Sequence, residues 1–311
     1  MVTALFTHSD CLKHENPPGH PEQVARLEVI EKALAVPEFD GLLRRDAPMG
    51  AKRDILRCHS EEHLKRIKAA APDEGIISLD ADTHMSPGSL NAAYRAVGAN
   101  VAAVDMVLEG EVANAFIACR PPGHHAETAR PMGFCLFGNV SIAAKYALDH
   151  HGLSRVAIVD FDVHHGNGTQ DLMWDEGRVL FCSSHQMPLY PGSGDVSETG
   201  VSGNILNVPL GPNTGGEEMR RAYDREVFPA IEAFGPELIL VSAGFDAHRD
   251  DPLANLNWRT DDFAWLTGRI CDVADGCCGG RVVSTLEGGY DLRALAESVA
   301  AHVGVLMERG G

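Results

Sequence analysis

Short apolar runs recur along the chain, and five of them end in polar segments. These runs cover residues 115–119, 156–159, 179–182, 238–241 and 282–286. Runs of this length without alternation are typical of strands that are covered on both faces of a parallel sheet. Candidate helices lie between most of them, including an alanine-rich one at 140–150. We therefore predict an α/β fold, a parallel β-sheet flanked by helices on both faces, whose polar strand ends meet at one edge.

The N-terminal third has a less regular pattern. We predict, in chain order, a strand at 2–7, a helix at 21–36, a short strand at 54–56, and helices at 61–71 and 90–108. Ser86, which precedes Pro87, is a candidate cap for the last of these helices. His8, His14 and His20 lie in an intervening loop without the i, i+4 spacing of a helical metal pair, so we predict surface histidines.

No stretch of the chain has the composition of an interdomain linker, and no internal repeat is present. Clusters of glycine and proline near 121–133, 188–203 and 209–216 follow strand ends and indicate long loops that form a site. We predict one domain over residues 1–311, with the site on these loops.

Charge and cysteine usage narrow the classes of function. The chain has 26 basic and 44 acidic residues, a formal charge of -18, which disfavours binding to a nucleic-acid backbone and favours cationic ligands. The eight cysteines show no Cys-x-x-Cys pair, which indicates free thiols in a reducing compartment. No apolar run is long enough to span a bilayer and no leader pattern is evident, so we predict a cytoplasmic protein without membrane contact. Self-association is left open.

The run at 156–159 leads into the most informative segment. Continued extended backbone would put Asp160, Asp162 and His164 on one face, and Gly166 and Gly168 would then let the chain turn away. Two buried carboxylates at this spacing would repel each other without a cation. The segment therefore predicts a metal site.

Asp246 follows another strand and can complete a set of three ligands with Asp162 and His164. Three protein ligands with one open position are typical of catalytic zinc, whereas a structural zinc would need a fourth ligand. Iron(II) stays open, although its usual triad has two histidines and one carboxylate.

Three further residues add candidate chemistry. His124 and His125 follow the run at 115–119, and Asp160 and Asn167 can orient one imidazole each. A carboxylate partner makes an imidazole more basic and an amide does not, which would separate the two proton affinities. Tyr290 follows a Gly-Gly turn and can direct a phenol at a developing oxyanion.

These motifs together resemble the zinc-dependent histone deacetylase family, with its arginase/deacetylase fold. The resemblance extends from about residue 6 to about residue 307 and rests on the ordered motifs RPPGHH at 120–125, GFC at 133–135, DFDVHHGNG at 160–168, YPGSG at 190–194, GFD at 244–246 and EGGY at 287–290. The arginine-led motif and Asn167, where other members have Asp, look like the class II branch.

The resemblance implies a role for each matching residue. Asp162, His164 and Asp246 would bind Zn²⁺, His124 and His125 would be the catalytic pair, and Tyr290 would polarise the substrate carbonyl. A structural K⁺ or Na⁺ would be bound by the Asp160 and Ser183 side chains and by main-chain oxygens of Asp162, His164 and Ser184. Phe134, Tyr190 and Leu253, with Gly133 and Gly288, would contact substrate.

The implied reaction is hydrolysis of an N-acyl amine to a free amine and a carboxylate, with acetyl-lysine in a peptide or protein as the predicted substrate. The first alternative is a deacetylase of acetylpolyamines or other small acylated amines. Polyamine-selective relatives can have an acidic residue at the position of Leu253, so this leucine favours acetyl-lysine. A dimanganese hydrolase of the arginase type is a second, although His248 replaces the acid that its second metal needs. The third is an inactive module that only binds acylated amines.

Overall fold

Eight parallel strands form the central sheet of the computed structural model, which describes residues 1–311, and two more form a small antiparallel hairpin. The strands are β1 (Thr3–Thr7), β2 (Leu43–Asp46), β3 (Ile77–Ser78), β4 (His84–Met85), β5 (Asn114–Ile117), β6 (Val156–Asp160), β7 (Val179–Gln186), β8 (Ile205–Leu210), β9 (Ile239–Ala243) and β10 (Val282–Leu286). The order in the sheet is β2-β1-β5-β10-β9-β6-β7-β8, and β3 pairs with β4.

Ten helices surround this sheet. They are α1 (Ala25–Ala33), α2 (Lys52–Ile55), α3 (Glu61–Ala70), α4 (Ser89–Leu108), α5 (Asn139–Asp149), α6 (Asn167–Met173), α7 (Gly216–Ala222), α8 (Phe228–Phe234), α9 (Thr260–Cys278) and α10 (Leu292–Gly310). A π-helical turn at Tyr223–Val227 joins α7 to α8. No helix has the length and apolar character needed to cross a membrane.

The predicted fold class is confirmed, and all five apolar runs are strands of the sheet. The central strands β5, β6, β9 and β10 are buried at every position, which explains why they have no polar alternation. The two edge strands, β2 and β8, were not predicted from the sequence. β2 has the sequence LRRD and is mostly exposed, so it has no apolar pattern to detect.

Several local predictions in the N-terminal third were wrong. Residues 54–56 lie at the end of α2 rather than in a strand, and α1 is shorter than the predicted helix at 21–36. Ser86 does not cap α4, because Gly88 occupies the N-cap position; the Ser86 hydroxyl accepts the Glu15 N–H at 2.9 Å and donates to the Lys13 carbonyl at 3.0 Å. His14 is buried rather than on the surface, with Nδ1 2.6 Å from the Ser89 hydroxyl.

One continuous core connects the sheet to its helices. Eighty-one buried apolar residues form a single cluster. Seven of the eight cysteines are buried and all eight are free, as predicted. The domain bounds of 1–311 stay a prediction.

Strand register brings the polar strand ends together. Asp160, the last residue of β6, is paired with Ser183 on β7 and with Ser242 on β9. Because all three strands are parallel, the loops that follow them leave the sheet at the same edge. This edge is where the candidate site forms.

The core also contains neutral histidines. The His302 ring lies between the hydroxyls of Thr267, 2.6 Å from Nδ1, and Ser284, 2.8 Å from Nε2. Burial lowers the pKa of His302 to about 3. It also lowers the pKa of His59 and His165 to about 3 and that of His185 to about 4.

Because the pKa values of these buried histidines are lowered, we predict that the protein loses stability in mild acid. Each binds a proton more readily in the unfolded chain, so its stabilising contribution is complete above about pH 6.5 and is lost as the pH falls toward 3. His302→Gln keeps a hydrogen-bonding side chain without a titrating ring. Urea unfolding between pH 7.5 and 5 should show a shallower pH dependence for this variant, by about 1.4 kcal/mol per pH unit at most. Identical slopes for the two proteins would show that His302 is not a buried neutral imidazole.

Candidate active site

Four neighbouring strands of the sheet supply the candidate active site from the loops at their carboxyl ends. His124 and His125 follow β5, Asp162 and His164 follow β6, Asp246 follows β9, and Tyr290 follows β10. Each lies within eight residues of its strand end, where side chains no longer pack into the core. The predicted residues therefore come together because their strands are adjacent.

Asp162, His164 and Asp246 form a buried cluster whose ligand atoms all lie within 4.8 Å of one another. His164 Nδ1 is 3.2 Å from Asp162 Oδ1 and 3.1 Å from Asp246 Oδ2. Bond lengths of 2.0–2.2 Å around a tetrahedral ion would put two ligand atoms about 3.4 Å apart. The observed separations are close to this value, so the three residues fit a divalent cation such as zinc.

Backbone N–H groups hold the two carboxylates in place. Gly288 N–H donates to Asp162 Oδ2 at 2.8 Å, and Val163 N–H donates to Asp246 Oδ1 at 2.9 Å. A Cβ atom at position 288 would overlap both carboxylates. Glycine is thus required at 288 by close approach, and Gly288 lies against the cluster rather than among the residues that line the cavity described below.

Electrostatics favour positive charge inside this cluster. Burial acts to lower the pKa of His164, but its contacts with the two carboxylates raise it to about 10. Burial raises the pKa of Asp246, and the Asp162 charge raises it further. Burial acts in the same direction on Asp162, yet the nearby imidazoles of His124 and His164 hold its pKa below the usual range. A cation between these groups would be bound in a site that little water can screen.

The adjacent histidines His124 and His125 have different partners. His124 Nδ1 is 3.0 Å from Asp160 Oδ2, and His125 Nδ1 is 2.7 Å from Asn167 Oδ1. Burial acts to lower the pKa of His124, but the charges of Asp162 and Asp160 raise it well above the usual range. Burial lowers the pKa of His125, and the neighbouring His124 and His164 lower it further.

Glu127 fixes the orientation of the Asn167 amide. Asn167 Nδ2 donates to Glu127 Oε1 at 2.8 Å, which turns Oδ1 toward His125. His125 Nδ1 must then donate its proton to Asn167. The other ring nitrogen, Nε2, is left without a proton. Glu127 was not among the residues predicted from the sequence.

Two more buried acids support the site, and neither was predicted from the sequence. Glu287 accepts hydrogen bonds from the backbone of Gly123 at 2.7 Å and His124 at 3.2 Å, and thus holds the histidine loop. Asp251 accepts from the backbone of Tyr290 at 2.7 Å and of Leu253 at 3.0 Å. Burial raises the pKa of Glu287 and of Asp251 to about 7. A carboxylate directly after a buried strand was the signal that could have identified Glu287.

A narrow cavity of about 210 Å³ opens above the cluster. Its lining residues are Asp82, His125, Gly133, Phe134, His164, Leu189, Tyr190, Leu253 and Tyr290. Cavities for drug-sized ligands are typically about 300–1,000 Å³, so this one suits a single slender chain. Of the predicted substrate-contacting residues, Phe134, Tyr190, Leu253 and Gly133 line the cavity and Gly288 does not.

One wall depends on an unusual backbone conformation. Gly133 and Phe134 both have positive φ, 55° and 68°. A Cβ atom at Gly133 would overlap the His125 ring, so only glycine allows this approach. Phe134 then packs edge to face against Tyr290, with ring centroids 5.8 Å apart.

The two serines predicted to bind the monovalent cation lie on β7, beside the strand that carries Asp160. The Ser183 hydroxyl is 3.0 Å from His185 Nδ1, and the Ser184 hydroxyl is 2.7 Å from that of Tyr223.

His248 is outside the cluster and accepts the Asp250 N–H through Nδ1 at 3.2 Å. Residue 248 therefore supplies no carboxylate for the second metal of a dimanganese hydrolase.

Fold and site together define an α/β protein with a buried carboxylate–imidazole centre below a narrow cavity. The family model described as a histone deacetylase domain matches residues 20–306. A histone deacetylase-like amidohydrolase of Pseudomonas aeruginosa is 42% identical, with 88% of this chain and 73% of the relative covered. Chloroplastic histone deacetylase 10 of Oryza sativa is 40% identical, with coverages of 95% and 71%.

A solved structure indicates the same family. The crystal structure of an HDA15 HD domain superimposes with a TM-score of 0.93 at 33% identity, and covers 99% of this chain and 89% of the other. The chain belongs to the histone deacetylase family and is a hydrolase of that family. The family resemblance found in the sequence is confirmed.

The close packing at Gly288 predicts that Gly288→Ala prevents metal binding at the Asp162–His164–Asp246 cluster. The added methyl group would overlap the carboxylates of Asp162 and Asp246, while the surrounding core is untouched. Gly276→Ala is the matched control, because Gly276 is exposed on α9 and a methyl group added there would meet nothing within 4 Å. Zinc content after dialysis should fall sharply in the first variant and stay at the wild-type value in the second. Full zinc occupancy in Gly288→Ala would show that the cluster is not the binding site.

Proposed function

We propose that this protein is a zinc-dependent deacetylase that hydrolyses the acetyl amide of lysine side chains in peptides or proteins. The main support is the juxtaposition of a three-ligand cluster, a narrow apolar cavity and two histidines with opposite pKa shifts. A merely binding module would not need two histidines with separated proton affinities.

Asp162, His164 and Asp246 would hold the zinc ion. When bound, zinc supplies Lewis-acid activation of the amide carbonyl and of water. The predicted monovalent cation would be held by the side chains of Asp160 and Ser183 and by main-chain oxygens of Asp162, His164 and Ser184. Support for that site is the pairing of Asp160 with Ser183 on adjacent strands.

His125 would act as the general base. Its lowered pKa keeps the ring neutral near pH 7, and the hydrogen bond to Asn167 Oδ1 leaves Nε2 able to accept a proton from the attacking water. His124 would be the general acid, because its raised pKa keeps the ring protonated until it can donate to the leaving amine.

Tyr290 would stabilise the oxyanion. Burial raises the pKa of its phenol well above the usual range, so the hydroxyl stays a hydrogen-bond donor. Asp251 holds the Tyr290 backbone, and the Arg26 guanidinium lies 5.0 Å from the centre of its ring. The phenol is thus attached to a rigid turn.

Replacing His124 and replacing His125 should change the pH profile of activity in different ways. His125→Ala removes the base and should lower turnover roughly 10²- to 10⁴-fold at every pH. His124→Ala should leave more activity and remove the alkaline limb of the pH profile, since that limb reports loss of the proton from a group of raised pKa. The acid limb, which reports protonation of His125, should lie below pH 6.5. Profiles of kcat with equal losses and unchanged limbs would contradict this division of roles.

The apolar walls favour acetyl-lysine over an acetylated polyamine. Phe134, Leu189 and Leu253 would contact the uncharged methylene chain of lysine, whereas a polyamine would place a further ammonium group against them. Asp82 at the cavity and the chain charge of -18 favour cationic substrates and keep the polyamine as the second candidate.

A direct comparison of substrates tests this proposal. With purified, zinc-loaded protein, we expect kcat/KM for an acetyl-lysine peptide to exceed that for acetylputrescine by at least tenfold. Leu253→Glu should narrow the difference, because the new carboxylate would attract the polyamine ammonium group, and Leu253→Met is the matched apolar control. A higher kcat/KM for acetylputrescine would reverse the substrate assignment, and no turnover of either would contradict the deacetylase.

A further inference from the structure

A second group of potential metal ligands lies at the opposite edge of the sheet from the active site. Asp105 is in the last turn of α4, and His150 and His151 follow the last residue of α5. These helices end just before β5 and β6 begin, so their carboxyl ends lie near the amino ends of the strands. The group takes no part in the chemistry described above.

The side chains of this group converge. Their ligand atoms, one from each residue, all lie within 4.8 Å of one another. His151 Nε2 is 2.7 Å from Asp105 Oδ1, and the His150 and His151 rings are perpendicular with centroids 5.1 Å apart. Two imidazoles and one carboxylate from two helices are thus directed at one point.

Tyr146 holds two of these side chains in position. Its hydroxyl donates to Asp105 Oδ1 at 2.9 Å, and its ring stacks on His150 with centroids 4.7 Å apart and planes at 24°. Ligands that are oriented by hydrogen bonding and stacking lose less freedom when a metal binds. Asp105, His150 and His151, with Tyr146 behind them, form what we call the helix-end cluster.

The surrounding charges favour a cation. The last turns of α4 and α5 both end at the cluster, and the partial negative charge at each helix carboxyl end attracts positive ions. Arg57 is the opposing charge nearby, 5.3 Å from the centre of the Tyr146 ring. Its guanidinium is paired with Asp149 at 3.2 Å and Asp54 at 3.6 Å, which offsets much of its repulsion.

We propose that the helix-end cluster binds a divalent transition-metal ion, because two imidazoles and a carboxylate are ligands that such ions accept, and Zn²⁺ is the ion used to test the site. Ligand atoms of a tetrahedral zinc are about 3.4 Å apart, so a small rotation of His151 away from Asp105 would admit the ion. His150 is exposed, which gives the ion access from solvent. The ion would join the ends of α4 and α5 and stabilise the folded state by mass action.

Zinc binding measured by equilibrium dialysis at micromolar free zinc tests this proposal independently of the deacetylase assignment. The wild-type chain should bind one zinc ion more than the double variant His150→Ala/His151→Ala. The Asp162→Ala variant should keep this additional ion, because Asp162 is not part of the helix-end cluster. His8→Ala is the control, since His8 lies 3.2 Å from Asp10 but has no second imidazole beside it. The midpoint of thermal unfolding should rise with added zinc in wild type and Asp162→Ala, and rise less in the double variant.

Each outcome decides the question. Equal zinc stoichiometry in the wild type and the double variant would overturn the site, as would loss of the additional ion in His8→Ala. His150→Asn alone keeps a polar side chain at an exposed helix end, and its loss of the ion would support the site even if the double variant folded poorly. Retention of all zinc in Asp162→Ala would contradict the active-site ligands without affecting the helix-end cluster.

Discussion

Mutual repulsion among buried carboxylates is the constraint on which this structure depends. Asp160, Asp162, Asp246 and Glu287 all lie with less than 2% exposure at the carboxyl ends of neighbouring central strands. Burying so much negative charge is unfavourable unless each group is neutralised or hydrogen-bonded. Two imidazoles and several backbone N–H groups provide part of that compensation, and the position between Asp162 and Asp246 fits a cation. The arrangement that lowers this cost is also the arrangement on which the proposed chemistry depends.

Supporting contacts convert the cluster into a site with defined proton positions. The His124 ring is bonded to a carboxylate and the His125 ring to an amide, although the two residues are adjacent in the chain. Glu127, which lies only two residues beyond His125, orients that amide. The pKa values of these two sequence neighbours are therefore shifted in opposite directions by contacts made across the fold. Burial penalises charge on both rings, but only His124 has carboxylates near enough to offset this penalty.

Glycines at close contacts are a second requirement. Gly288 allows the backbone to reach the Asp162 carboxylate, and Gly133 allows the chain to pass over His125 with positive φ. Each is next to a residue whose side chain contributes to the site: Phe134 forms the cavity wall after Gly133, and Glu287 precedes Gly288. Loop geometry at the strand ends is therefore determined as much by the absence of side chains as by the functional groups.

The sequence by itself determined the fold class, the five buried strands and the group of polar residues at their ends, since buried strands have an apolar pattern that does not depend on distant contacts. It could not reveal β2, the buried His14 or the support from Glu127 and Asp251. An edge strand lacks that pattern, and hydrogen bonds between distant segments have no local signature. The tertiary structure alone decided which oxygen faces each imidazole, how wide the cavity is, and that Asp105 meets His150 and His151, because these depend on how separate elements pack.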